Sequence, residues 1–173
     1  MHIIFQTPRL TLRRFTEADA PLIFALNSDP EVLKYLHERT LKDEEDAGKI
    51  IIDIILPQYA NNLGRWAIHI NNSNEFIGWC GLKYRPELKE TDLGYRLFKN
   101  AWGKGYATEA AKATLDHGFN ELKLPVITGR AHIENIASLK VLEKIGMQYI
   151  KDEIVDECPV KTYTISRRFR RIR

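Results

Sequence analysis

The chain has 173 residues and a formal net charge of +3, with 44% hydrophobic and 28% charged residues. These values fit one globular domain, which we expect to span residues 1–173. The two cysteines, Cys80 and Cys158, match neither a disulfide framework nor a metal site, and the sequence lacks a run of about 20 apolar residues or a signal-peptide pattern. We therefore expect a cytoplasmic protein with no membrane span and no metal.

The positive charge is concentrated at the C-terminus. Residues 167–173 contain five arginines, and the rest of the chain carries 21 basic and 23 acidic residues. A basic tail can bind nucleic acid or the ribosome, but short charged termini are more often solvated. A nucleic-acid partner is therefore the less favoured interpretation.

The first third of the chain carries strand and helix signals in turn. Leu10–Arg14 shows the apolar alternation of a half-buried strand. Asp29, followed by a proline, predicts a capped helix over residues 31–36. A further helix is expected to open at Thr40 with Asp43 three residues later, to repeat isoleucines at helical spacing, and to end or kink near Pro57.

The remainder predicts strands that alternate with helices. Expected strands cover residues 65–71, 75–84, 91–98, 126–133, 148–156 and 160–168, and expected helices cover 105–119 and 135–145. Gly94, inside one strand, indicates a β-bulge or a close approach of another backbone. This alternation predicts a mixed α/β fold.

A glycine-bearing loop leads into the predicted helix over residues 105–119. Residues 97–109 read LFKNAWGKGYATE, so a short strand end runs through the loop into a helix. The first amides of a helix have no internal partner and carry the positive end of its dipole. Because Gly103 and Gly105 also let a ligand approach the backbone, the loop predicts a phosphorylated cofactor.

Two common phosphate-binding loops do not fit this sequence. The dinucleotide pattern G-x-G-x-x-G/A needs a small residue where Thr108 stands, and the nucleoside-triphosphate pattern G-x-x-x-x-G-K-[ST] is absent. A ligand-free strand-to-helix turn is the alternative explanation for an isolated pair of glycines.

A second motif follows the loop, so the pair of glycines is not an isolated signal. The two motifs together resemble the GNAT superfamily of N-acetyltransferases, and most closely its RimJ and RimL branch of ribosomal-protein N-terminal acetyltransferases. The acetyl-CoA motif Q/R-x-x-G-x-G/A falls on Trp102, Gly105 and Ala107. The second motif, N-x-x-S followed by V-L-x-x-x-G-F, falls on Asn135, Ser138, Val141, Leu142, Gly146 and Met147. The opening TPRLTLR is also typical of this branch.

This resemblance implies a fold and a reaction. The fold is a mixed, strongly twisted sheet of about seven strands with helices on both faces, and acetyl-CoA lies in a cleft where central strands separate. The reaction moves the acetyl group of acetyl-CoA, by direct attack in a ternary complex, to a primary amine of a protein N-terminus or a small molecule. The acceptor pocket is expected from residues 22–62 and the C-terminal strands, in a monomer or homodimer.

The resemblance also implies which residues bind the cofactor: Leu97, Phe98, Trp102, Gly103, Lys104, Gly105, Tyr106, Ala107 and Asn135. The backbones of Leu97 and Phe98 would pair with the pantetheine arm. Trp102 stands where many members have Gln or Arg, so no side-chain hydrogen bond to pyrophosphate is expected there. Lys104 either adds charge near a phosphate or is solvated.

Ser138 and Asp92 are the candidate catalytic residues. The Ser138 hydroxyl lies on the apolar side of its helix and needs a partner, either the cofactor sulfur or a backbone carbonyl. By family analogy Ser138 protonates the departing thiolate, since Leu142 stands where other branches carry a tyrosine. Asp92 occupies an often acidic position and is the candidate general base, unless it pairs with Arg96. Other candidates for the base are His37, His132, Glu134 and water.

Two other classes of function remain open at this point. The chain could be an acetyl-CoA-binding sensor without turnover, or a ribosome- or nucleic-acid-binding protein that uses its arginine tail. Salt-sensitive binding would indicate the second class.

Overall fold

One eight-stranded sheet forms the centre of the molecule. The computed structural model describes residues 1–170. The strands are β1 (Ile3–Gln6), β2 (Leu10–Arg14), β3 (Gly64–Ile70), β4 (Phe76–Arg85), β5 (Glu90–Leu97), β6 (Val126–His132), β7 (Gln148–Val155) and β8 (Cys158–Ser166). Their order is β1-β2-β3-β4-β5-β6-β8-β7, and within the described residues every neighbouring pair is antiparallel except β5 and β6. The predicted mixed α/β fold is confirmed, with β1 as a strand that the sequence did not predict.

Helices cover both faces of this sheet. They are α1 (Ala20–Asn27), α2 (Glu44–Ile50), α3 (Leu56–Gln58), α4 (Tyr106–Asn120), α5 (Ile136–Lys144) and α6 (Arg167–Arg170). Short 3-10 turns lie at Glu17–Asp19, Tyr59–Asn61 and Lys99–Ala101. α4 and α5 cover one face, and the chain from α1 to the turn after α3 covers the other. Among residues 1–170 no helix is both long enough and apolar enough to cross a bilayer.

The predicted helix over residues 31–36 is wrong. Asp29 caps as expected, since its Oδ1 accepts a hydrogen bond from the Glu31 amide at 2.9 Å, but the following residues form isolated turns. The backbone hydrogen bonds that follow Asp29 close single turns and do not continue as a repeating α-helical pattern. The side chains of this segment make individual contacts with the rest of the protein: Leu33 is buried, and the Tyr35 ring lies 5.4 Å from the His132 ring on β6.

The helical segment before Pro57 changes type rather than ending. Proline has no amide hydrogen, so an α-helix cannot keep its hydrogen-bond pattern through this position. The pattern widens to a π-helix over Ile51–Ile55, and α3 then begins with Pro57 in its first turn. The chain stays helical to Asn61. The helix pattern therefore changes near Pro57, as predicted, but the helical segment does not end there.

Small residues let α4 lie close to β4 and β5. Ala110, Ala111 and Thr114 are fully buried on the inner face of α4. The Thr114 hydroxyl lies 3.3 Å from Cys80 Sγ on β4, which satisfies a polar group in the core. Burial raises the pKa of the Cys80 thiol to about 12, so Cys80 behaves as a small buried hydrophobe.

The bulge expected at Gly94 is absent. The β4–β5 register runs without a shift from Gly78 to Arg85, and a Cβ at Gly94 would touch the Trp79 ring at an ordinary 3.5 Å. Close backbone approaches lie on β4 instead: a Cβ at Gly78 would overlap the carbonyl oxygen of Arg96 on β5, and a Cβ at Gly81 would overlap that of Gly64 on β3. β3 and β4 therefore pack more closely here than any side chain at position 81 allows.

We expect Gly81→Ala to destabilise the protein and the matched change Gly94→Ala to be tolerated. Overpacking against backbone atoms should cost about 3 kcal/mol at position 81, whereas an added methyl group at position 94 should cost less than about 1 kcal/mol. Urea unfolding of both variants measures the difference. Equal stability of the two variants would contradict the assigned approach of β3 to Gly81.

Candidate active site

The site begins where β5 and β6 separate. These strands pair at Asp92 with Thr128 and at Leu93 with Gly129, and nowhere beyond within the described residues. The Phe98 amide donates to the Ile77 carbonyl of β4, so the alternate residues Tyr95 and Leu97 direct their backbone groups away from β4. A gap lined by free backbone groups of β5 therefore opens at the carboxyl ends of the two strands.

Six successive backbone amides lie at one end of this gap. The amides of residues 103–108 donate to no protein acceptor among residues 1–170, and they precede the first internal hydrogen bonds of α4. Gly105 is the N-cap of α4 with φ 80°, a left-handed conformation that favours glycine. A Cβ at Gly103 would have no heavy atom within 4 Å, so the loop faces open space. The loop can therefore receive an anion.

Trp102 makes a contact that the sequence did not predict, and the backbone of Phe98 is not available for the predicted pairing with pantetheine. The Trp102 indole Nε1 donates to the Leu97 carbonyl at 3.0 Å, which ties the loop to the end of β5. Phe98 uses its amide for Ile77 and its carbonyl for the amide of Ala101. Its side chain lines an open pocket of about 460 Å³ with Asp29, Lys99 and Asn100. The Leu97 amide, rather than the backbone of Phe98, is thus free to pair with a ligand in the gap, since Trp102 occupies the Leu97 carbonyl.

The start of the chain holds the loop in place. Glu109 on α4 accepts hydrogen bonds from the Thr7 hydroxyl at 2.7 Å and the Arg9 amide at 3.0 Å, and pairs with Arg9 Nε at 2.6 Å. Arg9 also donates to the Lys104 carbonyl at 2.9 Å and lies 4.6 Å over the Tyr106 ring. We call Thr7, Arg9 and Glu109 the N-terminal clamp. It gives the opening TPRLTLR a physical role that sequence reasoning had not assigned.

Ser138 faces β5 and contacts a residue that the sequence did not suggest. Its Oγ lies 2.8 Å from the Tyr95 Oη, so the alternative partner, a backbone carbonyl of the preceding turn, is not used. The N-cap of α5 is Asn135, whose Oδ1 accepts the Ser138 amide at 3.2 Å. Burial raises the pKa of Tyr95 to about 12, and the hydrogen bond with Ser138 opposes that rise. Tyr95 is therefore protonated at neutral pH.

Tyr95 was missed because its partner is 43 residues away in the chain. Strand alternation places Tyr95 on the face opposite Asp92, which is the one available signal. Which helix covers that face depends on the sheet order, and a single sequence does not provide it.

Asp92 lies outside the gap in a cluster of ion pairs. Its Oδ2 pairs with Arg85 Nε and its Oδ1 with Arg130 NH1 at 2.6 Å. Arg130 also binds Glu90 and Glu153. The predicted alternative, a pair with Arg96, is not formed: Arg96 binds Asn27 and Glu38 instead. Both Asp92 oxygens are thus held by guanidinium groups.

The other titratable candidates are dispersed. His132 accepts the Glu134 amide at Nδ1, and His37, Glu134 and Lys104 are exposed. The arginine tail lies in part outside the described residues, which end at 170. The structure thus brings Leu97, the loop and Ser138 to one gap and leaves Asp92 at its closed end.

Comparison with known proteins identifies the architecture. The family model described as "Acetyltransferase (GNAT) domain" matches residues 9–148. The chain belongs to the GNAT acetyltransferase family. The relative named "Uncharacterized N-acetyltransferase p20", from Bacillus licheniformis, is 36% identical over 146 residues that cover 82% of this chain and 80% of the relative. The predicted enzyme class is confirmed: the chain is an N-acetyltransferase of the GNAT family.

Solved structures agree with this assignment. A GNAT-family acetyltransferase from Bacillus anthracis is 30% identical with a TM-score of 0.78, over 96% of this chain and 98% of that one. RimL, the ribosomal L7/L12 alpha-N-protein acetyltransferase solved with coenzyme A, has a TM-score of 0.82 over 95% of this chain and 98% of that one, at 19% identity. At that identity the likeness to RimL shows the shared fold and no acceptor.

The N-terminal clamp should make stability depend on pH. Burial favours the neutral acid, but hydrogen bonds from Thr7 and Arg9 outweigh it and lower the pKa of Glu109 below its ordinary value of 4.5. A depressed carboxyl pKa stabilises the fold fully above the unfolded value, and the stabilisation is lost as the pH falls through the folded value. We expect the stability difference between wild type and Glu109→Gln to be largest above about pH 5 and to shrink below it.

Urea unfolding from pH 3 to pH 7 measures that difference. The exposed Glu75→Gln serves as the control and should show little dependence on pH. A constant difference for Glu109→Gln across the range would contradict the role of its charge.

Proposed function

We propose that this GNAT-family enzyme transfers the acetyl group of acetyl-CoA to a primary amine, with the thiol end of the cofactor in the gap between β5 and β6. The observation that carries the proposal is the run of six unpartnered amides at residues 103–108, placed next to the free amide of Leu97. Both features suit a ligand with a diphosphate and an amide-containing arm.

The residues present fit this cofactor. Open space at Gly103 and the left-handed N-cap at Gly105 leave the loop amides accessible to phosphate oxygens. The Leu97 amide faces the gap, where it can donate to a pantetheine carbonyl. Lys104 is exposed beside the same loop and can add positive charge. When bound, acetyl-CoA supplies the activated acetyl thioester.

Ser138 is the proposed proton donor. Tyr95 is protonated and can donate its Oη hydrogen to Ser138 Oγ, which leaves the serine proton free to point into the gap. A proton held there can neutralise a departing thiolate, and the proton that the attacking amine loses, carried by water in the gap, then restores the serine hydroxyl. Tyr95 then acts as a positioning residue that holds the serine hydroxyl in the required orientation.

Asp92 as the general base stays a prediction. Its two guanidinium partners favour a role in joining β5 to β6 over direct contact with an amine. Water in the gap is the alternative route for the amine proton, and it requires no further side chain.

The acceptor is proposed as a primary amine of a protein N-terminus or a small molecule, in the cytoplasm. The opening TPRLTLR and the second motif support the RimJ- and RimL-like branch. The fold does not choose among acceptors, because one fold carries many specificities.

Cofactor binding is tested first. CoA should raise the Tm, because a ligand that binds the folded state stabilises it, whereas ATP and NAD should have much smaller effects. Gly105→Val should weaken CoA binding at least about 10-fold, since a branched side chain strains the left-handed N-cap. Lys104→Ala keeps the backbone and should weaken binding less. Equal Tm shifts with all three ligands, or unchanged affinity in folded Gly105→Val, would contradict the cofactor site.

Turnover is tested by CoA release from acetyl-CoA with a panel of amines and peptides. Release that depends on the amine supports the proposed reaction. CoA binding without release from any amine would indicate the sensor function instead.

Ser138→Ala should lower kcat about 100-fold or more with little change in the Kd of CoA, because proton donation matters most in the transition state. Tyr95→Phe should lower kcat less, since the serine proton remains. The matched control is Tyr163→Phe, which removes another tyrosine hydrogen bond to α5, from Oη to Glu143 at 3.1 Å. Measured on folded protein, a loss of less than about 10-fold in Ser138→Ala would return the identity of the acid to unknown.

A further inference from the structure

Two arginines lie against one tryptophan on the sheet face that α1 covers. Trp79 on β4 is 9% exposed, and its ring lies 4.8 Å from the Arg65 guanidinium carbon and 5.7 Å from that of Arg96. Arg65 is on β3 and Arg96 on β5, so the three side chains cross three neighbouring strands. We call Arg65 and Arg96 the arginine pair.

The two guanidinium groups have unequal partners. Arg96, whose side chain is 6% exposed, donates to Asn27 at 2.6 Å and pairs with Glu38 at 3.0 Å. Its Nε is buried and has no acceptor. The Arg65 guanidinium makes no ion pair and no hydrogen bond among the described residues. Two positive charges therefore share Glu38, which is itself half exposed.

The surroundings of Arg65 oppose its positive charge. Burial, with a further contribution from the charge of Arg96, lowers the pKa of Arg65 to about 10, so the group stays charged at neutral pH. Stacking on Trp79 compensates in part for lost hydration. A planar guanidinium offers paired donors that match the two oxygens of a carboxylate or phosphate.

The two arginines lie next to the gap, on the face of the sheet opposite Ser138. Arg96 lies between Tyr95 and Leu97, in the part of β5 that has separated from β6. Successive strand residues point to opposite faces, so Tyr95 meets Ser138 on one face and Arg96 lies on the other. A molecule held by the arginine pair can thus reach the gap from the face opposite the proton donor. The same face carries residues from the region predicted to form the acceptor pocket.

We propose that the amine acceptor carries an oxyanion, a carboxylate or a phosphate, and that the unpaired donors of Arg65 bind it beside the positive charge of Arg96. This inference rests on the proposed acetyl transfer and narrows its acceptor. An amino acid or a phosphorylated amino compound fits such a site. A polyamine does not, because its second positive charge would meet two guanidinium groups.

Matched pairs of amines test the proposal. L-histidine with histamine and L-arginine with agmatine differ in a carboxylate, glucosamine 6-phosphate with glucosamine differs in a phosphate, and spermidine represents the polyamines. Calorimetry in the presence of CoA measures binding, and CoA release from acetyl-CoA measures turnover. The carboxylate and phosphate pairs separate the two sources of the anion.

Arg65→Met removes the charge and keeps an apolar chain against Trp79, and Arg65→Lys restores the charge without the paired donors. Arg14→Met is the matched control, since Arg14, on the neighbouring strand β2, stacks 5.0 Å from the centre of the Tyr59 ring. For at least one pair we expect the anionic member to bind about 10-fold or more tightly than its neutral counterpart. Arg65→Met should reduce that preference about 10- to 100-fold, Arg65→Lys less, and Arg14→Met little.

The outcomes separate this inference from the proposed function. Equal binding of anionic and neutral members, preference for spermidine, or an unchanged preference in folded Arg65→Met would overturn the inference while acetyl transfer stood. Binding of anionic amines that depends on Arg65, with no CoA release from any amine, would support the anion site and overturn acetyl transfer. An Arg65-dependent preference in both binding and turnover supports both.

Discussion

The contact between Asp92 and Arg130 fixes the shape on which the site depends. It joins β5 to β6 at their last paired residues, Asp92 with Thr128 and Leu93 with Gly129. The Arg130 side chain is 9% exposed and binds three carboxylates, so the two strands are held firmly at this end. Because the pairing stops there, the backbone of β5 beyond Leu93 has no neighbour on that side. The gap thus forms because β5 and β6 are paired at one end and unpaired at the other.

The separated part of β5 serves two faces at once. Tyr95 reaches Ser138 on the side of α4 and α5, and Arg96 reaches Trp79 and Asn27 on the side of α1. Strand alternation alone produces this division. A cofactor and an acceptor can therefore approach the same short segment from different directions without competing for the same side chains.

The sequence predicted those parts of the site that are contiguous in the chain. The loop from Gly103 to Ala107 and the capped start of α5 at Asn135 could be recognised because each is a few residues long and depends on local backbone geometry. The elements that alternate after residue 64 were recognised for a similar reason, since hydrophobic periodicity reports burial directly.

The contacts between distant residues could not be predicted in the same way. Tyr95 with Ser138, Asp92 with Arg130, and Arg65 with Arg96 each require the sheet order and register. β1 was missed because its four residues, IIFQ, show no alternation of buried and exposed positions. The segment over residues 31–36 failed because a cap and a proline specify where a helix can begin and not whether it has enough hydrogen bonds to persist.

The N-terminal clamp fixes the loop of residues 103–105 through contacts between residues that are far apart in the chain. Thr7 and Glu109 are separated by 102 residues, and Arg9 and Glu109 by 100. During synthesis the first strands must wait until α4 has left the ribosome before these bonds can form, and closing so long a segment is entropically slow. The loop therefore depends for its position on residues about 100 positions earlier, and a chain without residues 1–9 would lose the clamp and β1 while keeping the residues of β2–β8.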